Sequence, residues 1–161
     1  MRLLLLLCSR LALRFSEALA ITLSDYDHAN RTVLVFSTKT QRKRTMPLTA
    51  DIEVLLAAIA GSDPTIPAVE LLAGRRRSKT SIHQNFRQLK QRAGVGPQLH
   101  FHDLRRTAAT MLYRQTHDVR AAQQLLGHAS LHATAYYLAP FDTAQMRELI
   151  NSLPLYTRTT Q

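Results

Sequence analysis

HDLRRTAAT (His102–Thr110), LLGH (Leu125–His128) and Tyr137 follow one another in a single order, and Tyr137 stands nine residues beyond His128. Read as a helix starting near His102, the chain here places Leu104, Ala108, Met111 and Leu112 on one face, and leaves His102, Arg105 and Arg106 on another side. Asp118 caps a short helix that runs through Leu126, Gly127 breaks it, and Ser130 caps a further helix holding Tyr136 and Tyr137. A histidine, arginine cations and a phenol in this order suggest chemistry on a phosphate, because an attacking group, charge neutralisation and a proton donor are what phosphodiester cleavage demands.

Working outward, the chain of 161 residues carries 21 lysines and arginines against 11 acidic residues, a formal charge of +10 and a pI near 10.6. That balance points to a polyanionic partner. The length suits a single domain spanning residues 1–161, and the apolar share of 45% supplies one core. The single cysteine, Cys8, rules out a disulfide framework within the chain, and a reducing, cytoplasmic setting follows as the default. The opening MRLLLLLC imitates a short signal peptide, yet a signal core needs about 7–15 apolar residues and a membrane span about 20. Arg10, Arg14 and Glu17 interrupt the run too soon, so it reads as a buried core helix without membrane contact.

The remaining elements are mixed. After Ser24 come the turn residues Asp25, Asp27 and Asn30, then a strand over Thr32 to Phe36 and a partner strand over Lys43 to Leu48, with Lys39 at or near the hairpin tip. Thr49 caps a helix that Gly61 ends, Ser62 to Pro67 is a loop, and Gly74 to Ser81 is a basic stretch of unassigned structure. Ile82, Phe86, Leu89 and Ala93 define an amphipathic helix over Ser81 to Ala93 with Arg87, Lys90 and Arg92 among its polar residues, closed by Gly94. A final helix runs from about Asp142 to Leu153. The expected class is α+β, mostly helical, with a small antiparallel hairpin or sheet near residues 24–48.

These segments together resemble the catalytic domain of the tyrosine recombinases, the phage-integrase family, over most of the chain. The family's pattern is an HxxR helix, an LGH turn and a nucleophilic tyrosine nine residues beyond that histidine. LALRFSEALAI (Leu11–Ile21) resembles its first box, and STKTQRKRTMPL (Ser37–Leu48) its β-hairpin. The resemblance implies six catalytic positions. Tyr137 is the nucleophile that forms a covalent 3′-phosphotyrosine, Arg14 and Arg105 clamp the phosphate, and His102 helps the phenol ionise. Lys39 protonates the leaving 5′ oxygen, and His128 donates a hydrogen bond to the phosphate. Glu17 supports Arg14. Leu11 and Ala12 stand where the family usually has Thr-Gly, and Arg106 where many members have a second histidine.

The implied activity is site-specific DNA recombination or integration, without metal, nucleotide or other cofactor. The implied partner is duplex DNA, bound as a tetramer assembled from monomers, with the helix from Asp142 docking on a neighbour. The family's N-terminal DNA-binding domain is expected to be absent from this chain. Arg42, Lys43, Arg44, Arg75, Arg76, Arg77, Lys79 and Arg106 are expected on DNA, mostly its phosphates.

Each residue also has a plain structural reading: Arg14 as a surface pair with Glu17, Lys39 or Lys43 as a solvated turn lysine, His102 and His128 as structural, Tyr137 as a half-buried aromatic. GRRRSKT (Gly74–Thr80) lacks the second glycine of a phosphate-binding P-loop, and His128 with His132 lacks the further ligands of a metal site. Two other functions stay open: a topoisomerase of type IB, and a catalytically silent DNA-binding remnant.

Overall fold

The computed structural model describes residues 1–39, 41–135 and 147. Tyr136, Tyr137 and the expected helix at 142–153 lie outside these, apart from Arg147. The described elements run α1 (Arg2–Ser9), α2 (Phe15–Ala20), a 3-10 turn (Leu23–Asp25), β1 (Tyr26–Asp27), β2 (Thr32–Ser37), β3 (Arg42–Pro47), α3 (Ala50–Ala57), α4 (Ala68–Leu71), α5 (Lys79–Arg92), α6 (Phe101–Thr116), α7 (Val119–Leu126) and α8 (Leu131–Ala135). Helices dominate and one three-stranded antiparallel sheet, ordered β1-β2-β3, flanks them. This is the expected α+β class. Among the described residues no helix is long and apolar enough to cross a membrane.

The leucine run at the start is the centre of the core. Leu3, Leu4, Leu7 and Cys8 are buried along one side of α1, which packs against α2, α3 and α6. Burial pushes the Cys8 thiol up to about 12, so it behaves as a small apolar group. In the sheet, side chains alternate: Val33, Val35 and Ser37 of β2 point inward while Leu34 and Phe36 face out. The register pairs Val33 with Met46 and Val35 with Arg44, so Arg44 shares the inner face. A ring cluster of Phe15, Phe86 and Phe101, with centroids 4.3–4.7 Å apart, joins α2, α5 and the first turn of α6.

Several sequence expectations need correction. β1 forms within the segment read as turn residues, where Tyr26 pairs with Val33. α3 ends at Ala57, not Gly61; the chain turns through 58–61, with Gly61 at φ +84°. α5 begins two residues early, at Lys79, because the Ser78 hydroxyl accepts from the Ser81 amide at 3.1 Å and caps it.

The buried stripe of α5 is Ile82, Phe86 and Lys90, whereas Leu89 is partly exposed. Lys90, read as one of the helix's polar residues, is therefore turned inward. Its Nζ donates to the Pro97 and Leu99 carbonyls at 2.7 and 2.8 Å and bolts α5 to the loop entering α6. On α6 the buried positions are Phe101, Arg105 and Ala109, each four apart, while Met111 is 56% exposed. The inward face is turned from the one predicted, and it carries Arg105 into the interior.

Candidate active site

Glu17 lies at the middle of the site. It follows Ala12, buried and at φ +49°, a left-handed turn that costs a non-glycine residue about 1–2 kcal/mol. Ala12 occupies the place where the resemblance expects glycine, and the turn forms nonetheless. It delivers Arg14 to the N-terminus of α2, where the Arg14 amide donates to Glu17 Oε2 at 2.9 Å and its guanidinium to Oε1 at 2.7 Å. Arg14 also reaches the Ser37 hydroxyl at 3.5 Å.

Two further arginines meet the same carboxylate. Arg44 donates to Oε2 at 2.9 Å and Oε1 at 3.4 Å, and Arg105 Nη1 stands 3.9 Å from Oε2. Burial pushes the Glu17 carboxyl up, but the hydrogen bonds from Arg44 and from the Arg14 backbone and side chain outweigh it and bring it to about 2. Glu17 is an anion at any physiological pH.

Arg105 is an internal strut. Its Nη1 donates to the Ala12 carbonyl and its Nη2 to the Leu126 carbonyl at 2.5 Å, so one side chain ties the turn before α2 to the end of α7. Nη2 is also 3.4 Å from His128 Nε2. An arginine can only donate, so Nε2 is the acceptor, and the ring proton sits on Nδ1, 3.2 Å from the Thr134 hydroxyl. Burial first, and then the charges of Arg105, Arg14, Arg44 and His102, lower the His128 imidazole to about 4. It is neutral at pH 7.

Gly127 makes this turn possible twice over. It sits at φ +61° as the C-cap of α7, and a Cβ placed there would stand 2.9 Å from Arg44 Nη1 and 3.0 Å from its Cδ and Cζ. Arg44 cannot swing clear without leaving Glu17. Gly127→Ala is expected to cost about 1–2 kcal/mol from backbone strain alone and to raise the titration of His128 as Arg44 is displaced. Urea unfolding and histidine NMR check this; unchanged stability would mean the turn tolerates a side chain, and an unmoved His128 titration that the contact with Arg44 is soft.

The structure thus brings Arg14, Glu17, Arg105 and His128 together from segments far apart in the chain. His102 is exposed in the first turn of α6, close enough for its charge to act on His128. Lys39 is exposed at the hairpin tip. Arg42, Lys43, Arg75, Arg76, Lys79 and Arg106 are exposed and Arg77 is partly buried. Arg44, expected on DNA, is instead turned inward onto Glu17. Its period-two relation to Met46, on a strand opposite Val35, was the signal for this. Thr134, fully buried behind His128, had no signal in the sequence. Among the described residues no three His, Cys, Asp or Glu gather as for a metal ion.

Comparison with known proteins bears on the family and the fold. The model of the phage integrase family matches residues 1–144. Tyrosine recombinase XerC of Chromobacterium violaceum is 32% identical over 133 residues, 79% of this chain and 44% of the relative. XerC of Alcanivorax borkumensis is 33% identical over 133 residues, 78% of this chain and 43% of that one. The chain spans less than half the length of these curated relatives. Among solved structures, XerA recombinase superposes with a TM-score of 0.71 at 24% identity, covering 93% of this chain and 55% of the other. The catalytic domain of bacteriophage HP1 integrase gives 0.62 at 19% identity, covering 95% and 82%. The fold is that of tyrosine recombinase catalytic domains, and by the match of its sequence the chain belongs to the phage integrase family.

Proposed function

We propose that this chain is the catalytic domain of a site-specific DNA recombinase or integrase, which cuts and rejoins DNA strands through a covalent 3′-phosphotyrosine on Tyr137. The observation that carries this is the gathering of Arg14 and Arg105 around one buried carboxylate, with His128 against Arg105, in a chain of this family. In the proposed step the Tyr137 oxygen bonds to phosphorus and its proton passes to His102. The bond from phosphorus to the 5′ oxygen breaks, and that oxygen takes a proton from Lys39. Arg14, whose side chain is 25% exposed, reaches the phosphate directly, while buried Arg105 supplies fixed positive charge beneath it.

His128 responds to the substrate. A phosphate monoanion offsets the arginine charges that add to burial in holding its ring neutral, so the imidazole can take up a proton at Nε2, which then turns from Arg105 to donate to a phosphate oxygen. These cations take the part that Mg²⁺ plays in other phosphoryl transfers, and the proposed reaction needs neither metal nor nucleotide. The partner is duplex DNA, met by the exposed Arg42, Lys43, Arg75, Arg76, Lys79 and Arg106, and recombination between two duplexes requires a tetramer of such chains. Of two structures sharing the fold, XerH is bound to its difH substrate and the Tn1549 integrase to circular intermediate DNA.

The test is to incubate the protein with nicked duplexes in the presence of a chelator, collect SDS-resistant adducts, and find the modified residue by mass spectrometry. A phosphotyrosine at Tyr137 is expected. An adduct at Tyr136 would move the nucleophile, and DNA binding without any adduct would make the chain a DNA-binding module.

A further inference from the structure

We propose that Arg44 is a positioning residue for strand cleavage: its guanidinium, seated between the Glu17 carboxylate and the backbone of Gly127, sets the places of Arg14 and His128 around the scissile phosphate. This rests on the cleavage reading above. Among the basic residues of the hairpin, Arg42 and Lys43 are exposed, whereas the Arg44 side chain is only 15% exposed. The cause is strand periodicity, which sets Arg44 opposite Val35 on the inner face.

Arg44 touches both halves of the site. On one side it grips both Glu17 oxygens, the same two that hold the Arg14 backbone and guanidinium. Without it each oxygen loses a donor, and the carboxylate is free to rotate with Arg14 attached. On the other side three atoms of Arg44 lie within 2.9–3.0 Å of where a Cβ on Gly127 would stand. That turn presents the Leu126 carbonyl to Arg105 and carries His128 as its next residue. A planar guanidinium suits this seat, since it can lie flat against the glycine while its edge holds the carboxylate.

The experiment compares wild type with Arg44→Met and Arg44→Lys, below their unfolding midpoints. Single-turnover cleavage of a nicked duplex is measured at saturating DNA, and Kd is measured across a salt series. For Arg44→Met the saturated rate should fall about a hundredfold, the cost of a misplacement near 1 Å, with Kd and its salt slope unchanged. Arg44→Lys, which keeps the charge without the plane, should recover part of the rate. A salt slope smaller by about one with the saturated rate intact would make Arg44 a phosphate contact and overturn the proposal. A lower Tm with the saturated rate intact would make it a structural strut, which overturns the proposal equally.

Histidine NMR of the protein without DNA supplies a readout independent of activity. Among the described residues, the groups acting on the His128 ring include Arg105, Arg14, Arg44, His102 and the Thr134 hydroxyl. Its titration near 4 should rise in Arg44→Met and by less in Arg44→Lys; an unmoved titration overturns the proposal. Absence of cleavage in wild type would sink the cleavage reading alone, while this titration would still decide whether Arg44 places His128.

Discussion

Arg105→Met is expected to remove about 3–5 kcal/mol of folding stability, the usual cost of deleting one partner from a buried charged network. Arg105 is 1% exposed and holds the Ala12 and Leu126 carbonyls, which belong to the turn before α2 and the end of α7. Methionine fills much of the volume but donates nothing. Both carbonyls would be buried with a donor lost, and an acceptor stranded in that way costs about 1–3 kcal/mol. Urea unfolding should show the loss as a lower midpoint at constant slope. Cleavage should vanish as well, even at temperatures where the variant is folded, since the fixed charge beneath the phosphate is gone. A loss below about 1 kcal/mol would show that these carbonyls find other donors, and that Arg105 is a replaceable strut.

The second large effect concerns acid. Glu17 has a carboxyl depressed from an ordinary 4.5 to about 2. A depressed carboxyl contributes stability that is complete above the unfolded value and is lost as pH falls through the folded one, here between about 4.5 and 2. At roughly 1.4 kcal/mol per unit the contribution is about 3 kcal/mol. His128 acts in a higher window. Its imidazole is depressed from 6.5 to about 4, so the folded state resists the proton that the unfolded chain accepts, and stability declines as pH falls across that range. Wild type should therefore weaken in two stages on acidification. Glu17→Gln should be less stable by at least about 3 kcal/mol at pH 7, because Arg14, Arg44 and Arg105 then face one another without their anion, and it should lack the lower stage. Urea midpoints measured from pH 7 to pH 2.5 decide this; parallel curves for the two proteins would show that Glu17 titrates normally in the fold.

Much of the fold was legible because it rests on short-range rules. The leucine run of α1, the hairpin, the Asp118 cap and the Gly127 break follow from periodicity and from backbone preferences that neighbouring residues express together. The order of HDLRR, LLGH and the first box likewise gathered the site residues without any coordinates. The misplaced cations share one cause, which is that polarity was taken as a sign of exposure. Lys90, Arg105 and Arg44 each occupy an inward position, four residues from Phe86, four from Phe101 and two from Met46 respectively. Each is tolerated there because carbonyls or a carboxylate from elsewhere in the chain wait to receive it.

By itself, then, the sequence determined the family, most of the elements and the identity of the cations and imidazoles that the proposed chemistry requires, since these depend on residue type and local spacing. Only the tertiary structure decided which of those cations face outward and which are held inside. That choice turns on long-range partners: the Ala12 carbonyl lies 93 residues from Arg105, and Glu17 lies 27 residues from Arg44. A buried charge is stable only where such partners converge, and convergence is a property of the packed chain that no local pattern records.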